Sequence, residues 1–198
     1  MPKIVDHEAR RLEITEVAVC LIAEGGLEAA TIRKIAQKSG YSKGVVEHYF
    51  DNKEELISAT LEWANLRYRE RVEKSTEGLR GLAAIKKCLE ATLPLSEEMR
   101  VEWKVRLVSW SIAVVDEALQ ARQGARFQDA VDHFALHFQE AFDDKEVPQR
   151  ETAQENGRRL LNITSGIAIA ALHNEMYGKR AFLEGEISYL INNIAHAH

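Results

Sequence analysis

Lys43-Gly44-Val45, with Glu47 and His48 one turn further along, is a set of side chains suited to reading hydrogen-bonding edges rather than to making bonds. A lysine ammonium donates to guanine O6/N7 or to a phosphate, a valine methyl meets a thymine methyl, and a glutamate accepts from cytosine N4. Gly44 is the odd member. A glycine within a helix costs about 1 kcal/mol relative to alanine, a loss that makes sense where something outside the protein must approach the backbone. Glu47 argues the other way, because a carboxylate near phosphates is repelled. By rejecting bases that offer only acceptors, it would add selectivity.

The elements that must position these residues follow from capping and periodicity. A first helix is expected from about Asp6 to Glu24, with Ile14, Val17, Ala18, Leu21 and Ile22 on one stripe and Gly25-Gly26 as its stop. Thr31 caps a short second helix whose inward residues are Ile32, Ile35 and Ala36, and Gly40 ends it. Ser42 caps a third helix carrying Val45, Val46, Tyr49 and Phe50. Asn52 opens a fourth helix with Glu55 at its third position, a capping box with Asn in place of Ser or Thr, running to about Lys74. Two short helices joined by a glycine-containing turn make a helix-turn-helix, whose second helix enters the DNA major groove N-terminal end first. The pattern alone leaves two readings open, a DNA reader and a plain helical hairpin.

The rest of the chain has few stops: 3 prolines and 11 glycines in 198 residues favour helices over a sheet with many turns. Breaks are expected around Gly78, Pro94, Gly124, Pro148 and Gly178, leaving long helices over roughly 97–120, 126–142, 149–177 and 181–195. Cys20 and Cys88 read as reduced thiols. "MPKIVDHEARRLE" has no apolar run of a signal peptide, and no window reaches the apolar length of a membrane span, so a cytoplasmic protein is expected. Net charge is −5, but it is unevenly placed. Residues 54–198 hold 18 Lys+Arg against 23 Asp+Glu, whereas residues 31–53 hold five bases (Arg33, Lys34, Lys38, Lys43, Lys53) against Glu47 and Asp51. A small basic element on an acidic body suits a phosphate-facing surface.

"TIRKIAQKSGYSKGVVEHYFDNKEEL" closely resembles the DNA-binding segment of the TetR family of transcriptional repressors, strongly over residues 8–60. "EHYF", the "MPK" start and a tryptophan-bearing mid-chain helix resemble its BetI-type subgroup. The resemblance implies an all-α fold: a helix-turn-helix DNA-binding domain at 1–53, a connecting fourth helix at 52–74, and a helical ligand-sensing and dimerisation domain at 54–198. Thr31 would hold a phosphate through its hydroxyl and helix N-terminus, and Arg33 would reach a base edge or phosphate. Ser42, Lys43, Gly44 and Val45 would face the DNA with Glu47 and His48 beside them, and Tyr49 and Lys53 would clamp the flanking backbone. Many members carry an aromatic residue where this chain has Glu47, so His48 is given a larger share of the contact.

One helix-turn-helix reads few base pairs, so a homodimer on double-stranded operator DNA is expected. The dimer surface is assigned to Leu160, Ile163, Thr164, Ile167, Ala168, Ala171, Leu190 and Ile194, with an ordinary intramolecular core as the competing reading. Effector binding is assigned to Trp103, Trp110, Phe127 and Phe134, whose rings suit a cation or a flat apolar ligand, with ordinary core packing as the competing reading, and to Arg106, which either meets an anionic ligand or pairs with Glu102. The BetI resemblance implies a small quaternary amine. Asp129, His133 and His137 form an i, i+4, i+8 row, read as a solvated polar face because no further ligand follows at metal-site spacing. No cofactor, metal or catalytic constellation is expected. The alternative to a regulator is a helical small-molecule-binding or scaffolding protein whose hairpin meets other proteins.

Overall fold

The computed structural model describes residues 6–196. Among them are nine α-helices and no strand: α1 (His7–Gly25), α2 (Ile32–Ser39), α3 (Lys43–Tyr49), α4 (Lys53–Thr76), α5 (Gly81–Thr92), α6 (Glu97–Ala113), α7 (Glu117–Asp143), α8 (Ala153–His173) and α9 (Arg180–Ala195), with a 3-10 turn at Leu27–Ala29 after α1. No helix in the described residues is long and apolar enough to cross a membrane. The "MPK" start lies outside the described residues.

The first four helices begin as their sequence dictates. Asp6, Thr31, Ser42 and Asn52 each place a side-chain oxygen on a backbone N–H three residues later, at 3.0, 3.3, 3.3 and 2.8 Å. Each bond satisfies one of the donors that a helix start leaves without a partner. The expected capping box at Asn52 is shifted by one residue: the Glu55 carboxylate accepts from Asp51 N–H at 2.9 Å, not from Asn52. Gly40 closes α2 at φ 75°, a left-handed conformation that a side chain would strain.

The chain divides into two compact units that do not follow a boundary at residue 53. One runs through Leu66 and takes in Val101–Val114; the other comprises Arg67–Arg100 and the chain from Val115 onward. In the first, Ile14, Ala18, Ile35, Val46, Phe50, Leu56 and Val105 form a continuous apolar core. In the second, α7 packs along α8, and α5 packs on α7 and on α9. Gly157 marks the α7–α8 contact: a Cβ there would sit 2.8 Å from the Val131 carbonyl and 3.0 Å from the Ala135 nitrogen. The backbones meet too closely for any side chain.

Three expectations are corrected. Gly124 is no break; α7 runs through it, and the interruption falls at 114–116, where Asp116 caps α7 by accepting from Leu119 N–H at 2.8 Å. A lone glycine in a long helix with a buried face costs about 1 kcal/mol, too little to stop it. Second, α8 starts at Ala153, with a complete Thr152–Glu155 capping box, and ends at His173, short of the expected 149–177. Third, α6 ends at Ala113, not near residue 120.

Candidate nucleic-acid interface

α3 presents two faces. Val46 and Phe50, the latter at the helix's C-cap, are buried, and Val45 and Tyr49 are half-buried, whereas Lys43, Gly44, Glu47 and His48 are exposed. The core contacts thus fix the helix and leave an outward edge. A Cβ on Gly44 would meet nothing within 4 Å, so packing inside this chain gives no reason for glycine there. Gly44 also has no positive φ.

Two cations of this surface, Lys43 and Lys53, are paired. Lys43 Nζ lies 3.0 Å from the Glu47 carboxylate, one helical turn away. Lys53 Nζ lies 2.8 Å from Glu28, and that hydrogen bond holds the Glu28 carboxyl below its usual range. Glu47 therefore neutralises Lys43 locally. Thr31 and Arg33 are exposed at the start of α2, with the Thr31 oxygen already engaged by Lys34 N–H. The Tyr49 hydroxyl pairs with His7 Nδ1 at 2.9 Å, and the rings of His7, His48 and Tyr49 cluster with centroids 5.3–6.3 Å apart.

These rings wall an open groove of about 550 Å³ lined by His7, Arg10, Ser42, Gly44, Val45, His48 and Tyr49. The sequence reading missed His7 and Arg10. They lie three apart on the polar face of α1, and nothing local marks them as neighbours of α3. The Arg10 guanidinium stacks over the Tyr41 ring at 5.1 Å, and the Tyr41 hydroxyl donates to Glu13. The head is tied to α4 by Arg11, 3.0 Å from Glu55. The Asp51 N–H and then Arg11 hold the Glu55 carboxyl below its usual range.

In the same unit, Trp103 is buried, Trp110 is half-buried, and their rings meet edge to face at 5.8 Å. Arg106, also buried, places its guanidinium 4.8 Å from the Trp103 ring centre. The protein's own cation takes that aromatic face. Phe134 is fully buried in the other unit and packs as core, while Phe127 is exposed.

The surface assigned to a second copy needs revision. Leu160, Thr164, Ala168, Ala171 and Leu190 are buried within the chain itself, and the Thr164 hydroxyl donates to the Leu160 carbonyl at 2.7 Å. Helical spacing identifies an apolar stripe but not whether its partner is intramolecular; here much of the stripe faces the chain's own core. Ile163 is 43% exposed, and Ile167 and Ile194 are half-buried. The polar row on α7 is also corrected. Asp129 is exposed, but His137 is buried and His133 half-buried, with Cys88 of α5 beside them.

Comparison with known proteins agrees with this architecture. Residues 14–60 match the family model described as bacterial regulatory proteins of the tetR family, and residues 81–184 match the BetI-type transcriptional repressor C-terminal model. The regulator BetI of Paraburkholderia phymatum is 26% identical over 197 residues, covering 96% of this chain and 95% of that protein. PksA of Bacillus subtilis is 34% identical over 108 residues, about half of either chain (53% and 52%). A transcriptional regulator from Saccharomonospora viridis, solved in complex with choline, superposes with a TM-score of 0.84 at 21% identity, covering 96% and 97% of the two chains. A regulator from Rhodococcus sp. Rha1 superposes at 0.82, also at 21% identity, over 94% and 96%. Such structural likeness speaks to the fold, whereas the two matched models together span most of the sequence. The chain therefore belongs to the TetR family of bacterial regulatory proteins, a family of transcriptional regulators rather than enzymes, and carries a BetI-type C-terminal region.

Proposed function

We propose that this regulator represses transcription as a homodimer on operator DNA and is released by a small quaternary amine. The observation that carries the DNA reading is the outward edge of α3, where Gly44 has open space around it and no role in packing. Lys43 and His48 supply donors to base edges, Val45 an apolar contact, and Gly44 the room for close approach. Thr31, Ser42, Tyr49 and Lys53 hold the flanking phosphates, with His7 and Arg10 extending the contact from α1.

A second copy meets the chain through Ile163, Ile167, Ile194 and the exposed Tyr189, presenting two α3 helices to half-sites one or more turns of about 34–36 Å apart. The amine class rests on the BetI-type relatives and on Trp110, whose half-buried ring leaves aromatic surface for an onium group. Such a ligand acts only through its different affinities for two conformations, with α4 as the connecting element. Operator binding must then weaken the effector by the same factor.

A gel shift of the purified chain on the DNA upstream of its own gene, at two salt concentrations and with or without choline, tests the reading. Retardation that survives excess competitor DNA and is relieved by choline is the expected result. Equal binding to operator and competitor sinks the α3 assignment; selective binding that choline leaves untouched sinks the effector class alone.

A further inference from the structure

We infer that Cys88 of α5 with His133 and His137 of α7 forms a zinc site inside the second unit. One donor atom from each of the three residues lies within 4.8 Å of the other two. The imidazoles stand nearly perpendicular, 89° between planes with centroids 5.0 Å apart, and both Nε2 atoms are buried without a hydrogen-bond partner. A buried polar nitrogen left unpartnered is unfavourable by about 1–3 kcal/mol, and here two occur side by side against a thiol. Nothing in DNA recognition or amine binding uses them.

The donor set fits the ion. Zinc takes thiolate at about 2.3 Å and imidazole at about 2.0 Å in tetrahedral geometry, which sets donor–donor spacings near 3.5 Å. Closing from at most 4.8 Å needs a shift of about 1 Å, which small rotations of the two side-chain torsions of an imidazole provide. The outer shell is in place: Glu140 accepts from His137 Nδ1 at 2.8 Å, which leaves the unpartnered Nε2 as the ligating atom, and Glu140 is itself held by Gly81 N–H at 3.2 Å. A carboxylate behind a ligating histidine is the usual zinc arrangement. The Cys88 thiolate offsets one of the ion's two charges, and Glu140 is shared between His137 and Arg80, 3.8 Å away, which also meets Asp144 at 3.4 Å.

Burial pushes the Cys88 thiol up to about 12, so it stays protonated until a cation displaces the proton. On binding, the S–H bond breaks, an S–Zn bond forms and one proton leaves to solvent. Burial, with His137 beside it, holds His133 below its ordinary range. Three protein ligands leave the fourth position to water or an exogenous donor.

The test uses the full-length reduced chain and needs neither DNA nor effector, so it stands apart from the proposed function. Cobalt(II) is titrated in and followed by absorption, then displaced by zinc; copper(I) is titrated under anaerobic conditions in parallel. One cobalt per chain is expected, with tetrahedral d–d bands and a thiolate charge-transfer band. Both are lost in Cys88→Ser and His137→Gln and kept in Cys20→Ser, with helical circular dichroism checked for each. Glu140→Gln should weaken zinc by ~10–100-fold without removing the thiolate band. Absence of a one-to-one cobalt complex in the wild-type chain overturns the site, as does a thiolate band that persists without Cys88. Cys88-dependent uptake of copper(I) but not zinc overturns the assignment to zinc.

Discussion

Replacing Glu47 by glutamine removes one negative charge from the edge proposed to face DNA and releases Lys43 from its partner 3.0 Å away. An exposed pair one turn apart on a helix is worth about 0.3–0.5 kcal/mol, which DNA must overcome to recruit the lysine. The carboxylate also repels the phosphates: at about 7 Å in water a unit charge contributes about 0.6 kcal/mol. A Debye length of ~8 Å at physiological ionic strength cuts that to about a quarter of a kcal/mol. Together these amount to about 0.6–0.8 kcal/mol, or roughly threefold tighter binding to any duplex. The dependence of log K on log salt should steepen by about 0.9, the share of one additional phosphate neutralised. Specificity should move the other way, because the acceptor for cytosine N4 is weakened and discrimination at one base pair falls by up to about 1–3 kcal/mol. Fluorescence anisotropy on operator and scrambled duplexes at several salt concentrations reads all three quantities. An unchanged salt slope with unchanged preference would refute the placement of Glu47 at the DNA.

Lys53→Ala should weaken operator and scrambled DNA alike and flatten the salt slope by about one unit, measured in the same titrations; a change in sequence preference would mean that Lys53 reads bases. Glu55 is a carboxylate whose folded-state value is depressed, so its stabilisation is present above its ordinary value of 4.5 and lost as pH falls through the folded value. Melting curves should therefore show Glu55→Gln less stable than wild type at neutral pH, with the gap closing in acid; a gap constant with pH contradicts the engagement of the carboxylate by the Asp51 N–H and Arg11. Gly157→Ala puts a methyl 2.8 Å from a backbone oxygen, and overpacking of about 1–3 kcal/mol should outweigh the helix preference of about 1 kcal/mol. Gly124→Ala, into open space on α7, should instead stabilise by up to about 1 kcal/mol in denaturant unfolding.

What could be read from the sequence was what is local. Thr31 and Ser42 cap α2 and α3 because a side-chain hydroxyl reaches only three residues ahead, and that reach is visible in the order of residues. Gly40 and Gly124 look alike in sequence, yet only Gly40 takes a positive φ and ends its helix. The rest of the surroundings decides which. The groove residues His7 and Arg10 sit more than 30 positions before α3, and Cys88 sits 45 before His133, so no spacing rule joins them. The apolar stripe on α8 was legible as a stripe, but Leu160 is buried within the chain and Ile163 is exposed. Periodicity does not distinguish the two.

Among the four oxygens that start the first four helices, two belong to hydroxyls and two to the carboxyl and amide of Asp6 and Asn52. An aspartate can cap a helix but has no proton to offer at neutral pH. Thr31 and Ser42 accept from their own helices and still hold a hydrogen that points elsewhere. Architecture and recognition thus share two atoms in the proposed complex. Aspartate at either position would leave the helix standing while turning a contact that welcomes an anion into one that expels it, so folding and DNA affinity can be separated by exchanging a single functional group.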